Sequence, residues 1–279
     1  MHRVVILSLA EGCEGPRTPV LSCRDALRAA GCEVELVTAR SDAEIDAALA
    51  DGEARTVVAA VSDGQVRAVV RRLMRKHSPA PSKRPDDLPA DRTVPDLPAV
   101  GILPVAIEPP DLASRLGLPR APEEVAAAVA GGFVRRVDLL RNDGGSLTLD
   151  GSLLGGADEA GRAVPFHASI NVDDAVLTDG REALLAAVVA NADGYATFDG
   201  LPLVVEPSPF DGKLNVAVAL AVKTRKRVEV EVRRASGRAV AVTPRSEGLP
   251  FLDDGVAGTL NRKRTWWMER AAWGVFAPK

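Results

Sequence analysis

The chain has little of most residue types that announce a chemistry. Its three cysteines, Cys13, Cys23 and Cys32, fall in the first 32 of 279 residues and show no metal-ligand spacing. They make no disulfide framework, so a reducing, cytoplasmic compartment is expected. His2, His77 and His167 stand far apart and form neither a metal set nor a triad. Aromatics are 4% of the chain, and only 7 of its 35 basic residues are lysine; both read as composition bias. A net charge of -3 implies no general affinity for nucleic acid. No apolar run spans a membrane: Ala183 to Ala190 is far too short. The apolar part of "MHRVVILSLAEG" is likewise too short for a secretory signal. No repeat at solenoid period is visible, and Gly155-Gly156 lacks the strand–turn–helix setting of a dinucleotide loop.

What is present is an ordinary globular balance, 46% hydrophobic and 26% charged, with length for a large core and two domains. The first half alternates apolar runs with amphipathic segments. "RVVILSL", "EVELVT", "TVVAAV", "AVGILPV" and "FVRRVDLL" read as strands. "VLSCRDALRAAG" reads as a helix capped at Gly31, and "SDAEIDAALADG" as one opened by a Ser41–Glu44 capping box and closed at Gly52. "QVRAVVRRLMRK", "DLASRLG" and "PEEVAAAVAGG" complete the helices. This alternation predicts a Rossmann-like, mainly parallel α/β domain over residues 1–140. The stretch 77–98 holds six prolines in 22 residues and reads as a loop. From 141 to 279 short alternating segments such as "FHASINV", "LPLVVE", "KLNVAVALAV" and "RAVAVTP" sit between Gly, Asp and Asn turns. They predict an antiparallel β-sandwich domain, its last strand free to return to the first domain.

Four places could carry chemistry: "VSDGQV" (61–66), "GILPVAIEPPDLASRLGLP" (101–119), "VRRVDLL" (134–140), and the pair "EPSPFDGKLNV" with "LPFLDDGV". In order and spacing they resemble the diacylglycerol kinase catalytic-domain family of lipid kinases. "VAAAVAGGFVRRVDLL", "VVANADG" and the closing "WGVFAP" extend the likeness over most of the chain. The resemblance implies a nucleotide-binding α/β domain, a β-sandwich, ATP in the cleft between them, and magnesium-dependent phosphorylation of a lipid hydroxyl. Carried over by position, Ser62, Asp63, Gly64, Gln65 and Asp111 would bind the cofactor. Asp63, Asp138 and Asp211 would hold a metal, and Asp63 and Asp254 would be catalytic.

The letters depart from the family at the chemistry. Its Gly-Gly-Asp-Gly-Thr becomes Val61-Ser62-Asp63-Gly64-Gln65. Glycines serve such turns because a phosphate reaches backbone N–H groups only where no Cβ intrudes. "SLAEGCEG" lacks the family's Asn-Pro. Its Gly-Thr-x-Asn-Asp turn becomes Ala106-Ile107-Glu108-Pro109-Pro110-Asp111, where two prolines remove two donors and Glu108 adds charge of the wrong sign. Asp254-Gly255-Val256 replaces Asp-Gly-Glu, and valine accepts no proton. The stretch 138–191 is Gly-rich where the family has helical material shaping its lipid pocket.

Three readings follow. The first is a lipid-kinase-like pseudoenzyme that keeps the fold and binds a nucleotide, a lipid or a partner, a second copy of the chain included. In it ATP and magnesium follow only from the resemblance, and the site can equally bind none. The second is an active ATP- and magnesium-dependent lipid kinase with Asp253 or Asp254 as base. The third is a structural or regulatory interaction module. The retained aspartates also have structural readings: Asp63-Gly64 as a turn, Asp111 as an N-cap, Asp211-Gly212 as a hairpin turn. In "NRKRTWWMER", Trp266 and Trp267 allow a peripheral membrane contact, though burial at the domain junction is favoured for large aromatics.

Overall fold

The computed structural model describes residues 2–10, 18–79, 85–86, 88–105, 108–198, 200–223 and 228–279. The turn after the first strand, Ala106-Ile107 and part of the 77–98 loop lie outside these residues, as does part of "VKTRKRVEVEVRR". The chain divides into two compact units: Met1–Val137 with Ala271–Lys279, and Asp138–Arg270.

In the first unit β1 (Arg3–Leu9), α1 (Thr18–Ala29), β2 (Glu33–Ala39), α2 (Asp42–Ala48), β3 (Arg55–Ala60), α3 (Asp63–His77) and β4 (Ala99–Pro104) follow one another. α4 (Leu112–Arg115) and α5 (Pro122–Gly131) come next, and β5 (Val134–Asn142) runs on into the second unit from Asp138. The strands stand in the order β2-β1-β3-β4, followed by the final strand Arg264–Phe276. Every pairing along that row is parallel. The apolar runs are buried on both faces because helices cover both: α1 packs with α5, and α2 with α3. α3 shows why the alternation was legible. Val66, Val69, Val70, Leu73 and Met74 are buried along one stripe. Burial also pushes the Cys23 thiol up to about 12, Glu123 adding to it, so that sulfur is an inert core group.

Two local expectations shift. α2 stops at Ala48, before Gly52, and its capping box is split. Ser41 accepts the Glu44 N–H, but the Glu44 carboxylate takes the N–H of Arg40 instead of that of Ser41. The chain crosses from β1 to β2 on one side and then to β3 on the other. The switch point where open α/β sheets gather ligands is therefore at the carboxyl ends of β1 and β3.

The second unit is an antiparallel sandwich. One sheet has six strands in the order Val228–Gly237, Leu214–Lys223, Leu184–Ala190, Gly151–Leu154, Leu249–Asp253, Val256–Leu260. The facing layer contains Ala175–Asp179, Ala168–Val172, Ala239–Pro244 and the first half of the final strand. Ile170, Val240, Val242, Trp266 and Met268 meet Val189, Val216, Val218 and Leu249 between them. Trp266 is therefore a fully buried core residue and not available to a membrane. Trp267 is half-buried, its indole N–H donating to Glu269 at 2.9 Å. "LPLVVE" is a strand only over Leu201–Pro202; Leu203 and Val204 instead cover the outer face of the six-stranded sheet. Asp211-Gly212 is a turn leading into Leu214–Lys223, not the link of a hairpin. No helix among the described residues is long and apolar enough to cross a membrane.

Gly101 on β4 lets α5 lie close: a Cβ there would stand 2.7 Å from Val129 Cγ2 and 3.3 Å from Val57 Cγ2. Gly101→Val is expected to destabilise the protein by about 1–3 kcal/mol, the usual cost of overpacking, measured by equilibrium denaturation.

Candidate functional site

β3 delivers Val61 and Ser62 to the start of α3 beside the switch point. Ser62 is the N-cap, extended at φ -155° and ψ 155°, but its hydroxyl makes no capping bond. Gln65 does the work from three residues on. It is buried, 5% exposed, and its Oε1 accepts the N–H of Val61 at 2.9 Å. The Gln65 Nε2 is also buried and has no hydrogen-bond partner among the described residues. Gly64 lies in the first helical turn behind Asp63.

Asp63 faces the next loop. Its Oδ1 accepts the N–H of Leu112 at 3.0 Å, and Oδ2 takes an N–H of Arg115 at 3.2 Å. Burial pushes its carboxyl above the ordinary 3.8; the Leu112 N–H and Arg115 pull it back, and Asp111 adds to the rise. Asp111 is buried and caps α4. It accepts the Ser114 N–H at 2.8 Å, while its own N–H donates to Ser114 Oγ at 2.9 Å. Arg120 donates to Asp111 Oδ2 at 2.8 and 3.0 Å. Burial works against the Asp111 anion, but the Arg120 and Ser114 bonds outweigh it and hold the carboxyl below its ordinary value. Ser62, Asp63, Gly64, Gln65 and Asp111 are thus gathered around the starts of α3 and α4.

The other candidates lie in the second unit. Asp138, on β5, is buried; its Oδ2 accepts the Gly212 N–H at 2.7 Å, and its own N–H donates to the Pro209 carbonyl at 2.8 Å. Asp211 is exposed and accepts the Lys213 N–H two residues on, at 2.9 Å. Asp254-Gly255 forms the two-residue turn between Leu249–Asp253 and Val256–Leu260, both residues at positive φ (49° and 78°). The Asp254 carboxylate is buried and accepts three backbone N–H groups, from Leu149 and Asp150 at 2.8 Å and Gly151 at 3.2 Å. Asp253 accepts the Thr148 hydroxyl at 2.5 Å.

Sequence reasoning missed several members of these two groups, one in each unit. Arg115 and Arg120 went unnoticed beside Asp111. Asp150 is buried and takes the Gly194 N–H at 2.9 Å. Tyr195 accepts the Gly255 N–H at 2.7 Å, its phenol pushed up to about 12 by burial, with Asp254, Asp150 and Asp253 adding to the rise. Asp150, Asp193–Tyr195 and Asp254 lie far apart in the sequence, and nothing local showed that they meet. Among the described residues no group of three or more His, Cys, Asp or Glu side chains is disposed to hold a metal ion.

Residues 4–142 match the diacylglycerol kinase catalytic domain. No curated protein sequence matches the chain. Solved structures do. A diacylglycerol kinase from Bacillus anthracis str. Sterne aligns over 99% of this chain and 97% of its own at 15% identity, with a TM-score of 0.68. Two further structures, each named as a candidate diacylglycerol kinase from the same bacterium, align over the same shares. Their TM-scores are 0.71 and 0.69, at 15% and 16% identity. At such identity the likeness establishes the two-part fold.

Two substitutions report on the carboxylates. Asp254→Asn turns an NH2 group toward N–H donors and leaves part of that set unmet, so denaturation should show a loss of roughly 3 kcal/mol or more, at 1–3 kcal/mol for each orphaned buried group. Asp63 has a raised carboxyl, so its ionisation costs stability as pH climbs from 3.8 through the raised value. Asp63→Asn removes that titration, so its stability relative to wild type should rise with pH across this window and then level off.

Proposed function

Because residues 4–142 place this chain in the diacylglycerol kinase catalytic-domain family, we propose that it is a lipid-kinase-like protein that acts by binding and not by phosphoryl transfer. One observation carries the reading. The Val61 N–H, the kind of donor a phosphate turn offers its ligand, already donates to Gln65 Oε1 at 2.9 Å. Phosphoryl transfer is almost wholly the positioning and charge stabilisation of phosphates, so a turn closed from within removes its first requirement.

A magnesium nucleotide, which the family implies, does not fit the residues present. Magnesium is held through one or two carboxylates with free oxygen lone pairs. Asp63 gives its oxygens to Leu112 and Arg115, Asp111 gives its own to Ser114 and Arg120, Asp138 turns Oδ2 to Gly212 and Asp211 turns Oδ1 to Lys213, and among the described residues no three such side chains stand together. Nor does Asp254 suit the part of general base, because its oxygens are turned onto three backbone N–H groups. The ligand classes this leaves are a lipid and a protein partner.

The test uses the whole purified chain with ATP, magnesium and diacylglycerol in mixed micelles. No γ-phosphate should reach the lipid, and millimolar magnesium–ATP should leave the unfolding midpoint unmoved. A ligand at 100 times its dissociation constant would add about 2.7 kcal/mol. The triple variant Val61→Gly, Ser62→Gly, Gln65→Thr frees the Val61 N–H and should gain a nucleotide-dependent shift. Sustained transfer of phosphate to the lipid by the wild-type chain would sink the proposal.

A further inference from the structure

The strand Val228–Gly237 forms one edge of the six-stranded sheet. It pairs with Leu214–Lys223 through ten consecutive partners with no shift of register, and no strand among the described residues pairs with its other side. At ~3.3 Å per residue it offers about 33 Å of open backbone. Natural sheet edges are blunted by shortness, proline, bulges and charged side chains, lysine above all and inward-pointing charges included. The open edge at β2 follows that rule, with Glu33 and Glu35 as its charged residues. The sequence "VEVEVRRASG" uses only one of these devices, its charges, with Glu229, Glu231 and Arg233 on the inward side: it is long, regular and free of proline and lysine, and because its charges are of both signs they need not repel a second copy.

Those charges are ordered so that the strand complements itself. Ala235 packs toward the inner core and Val232 toward the outer face, so odd-numbered side chains face inward and even-numbered ones outward. An antiparallel copy related by a two-fold axis through Val232 sets Glu231 opposite Arg233 of the second strand, and Arg233 opposite its Glu231. The same register sets Val230, 47% exposed, opposite the Arg234 stem. Opposite charges facing each other across an antiparallel pair are favourable and like charges are not. Within one chain Arg233 already holds Glu231 and Glu182, each at 2.7 Å, so its partner across the seam is the same kind of group it holds now. The edge strand of the facing layer, Ala175–Asp179, packs against this strand and exposes Val176 at 66%, which adds apolar surface to the same side.

We propose that Val228–Gly237 is the seam of a homodimer, two copies pairing this strand antiparallel about Val232 so that the six-stranded sheets become continuous. Self-complementarity of one patch is what a two-fold interface requires. Sedimentation velocity of the full chain from 1 to 100 μM tests it, at roughly the protein concentrations where such interfaces form. The wild type should sediment as a dimer. Glu231→Arg places like charges opposite one another twice, and Val230→Lys puts an ammonium at an exposed position of the seam. Each should weaken association at least tenfold while circular dichroism and the unfolding midpoint stay near wild type, since both side chains are exposed. Hydrogen exchange should show protection of 228–237 that rises with protein concentration in the wild type alone. A wild-type monomer throughout that range, or a dimer that both substitutions leave intact, overturns the proposal.

Discussion

A carboxylate taken out of water must be met by donors, and most of this protein's candidate site is the working out of that rule. Asp63, Asp111, Asp138, Asp150 and Asp254 are buried or largely so, and each is met by a backbone N–H from a loop other than its own helix or strand, or by the turn it caps. A backbone donor fixes position as well as charge, because it cannot move without moving the chain. Each aspartate is therefore a staple. Asp63 ties the start of α3 to the start of α4 across 49 residues. Asp254 ties its hairpin turn to residues 149–151 across more than 100.

This gives a physical reason for the pattern of retention. Relative to the lipid-kinase motifs, the glycine pair, the threonine and the late glutamate are absent, while Asp63, Asp111, Asp138 and Asp211 are present, as is the aspartate of the late motif, Asp254. The lost groups would serve only a ligand. The kept ones also hold loops, and removing one partner of a buried polar contact costs the whole desolvation of the other. Structural duty alone is then enough to keep these aspartates in place, and their presence is weak evidence for chemistry.

The α/β half was legible because it is written in local pattern. Buried apolar runs and the stripe on α3 need no long-range knowledge, and Asp111 with Ser114 three residues on announces a cap. What could not be read was pairing at a distance: Asp150 with Gly194, Tyr195 with Gly255, Arg120 with Asp111 each depend on the completed fold. "LPLVVE" misled because its apolar residues serve as a cover on a sheet, which has the composition of a strand without its hydrogen bonds. Trp266 lies among basic residues in sequence, yet strand alternation turns it into the core.

Gln65 is the residue on which the proposed reading rests most directly. A glycine-rich phosphate turn leaves backbone donors for its ligand, so its order is linked to ligand concentration. A glutamine at the third helical position reaches back toward the N-terminus, as in a capping box. Here its reach passes the N-cap by one residue and ends on Val61, while Ser62 does not return the bond. On the proposed reading, the acceptor that a phosphate would bring is supplied by the chain itself, at an effective concentration no free ligand matches. A nucleotide would have to displace that amide and meet two side chains where glycines would stand, beside a half-buried Asp63 whose carboxyl burial pushes up.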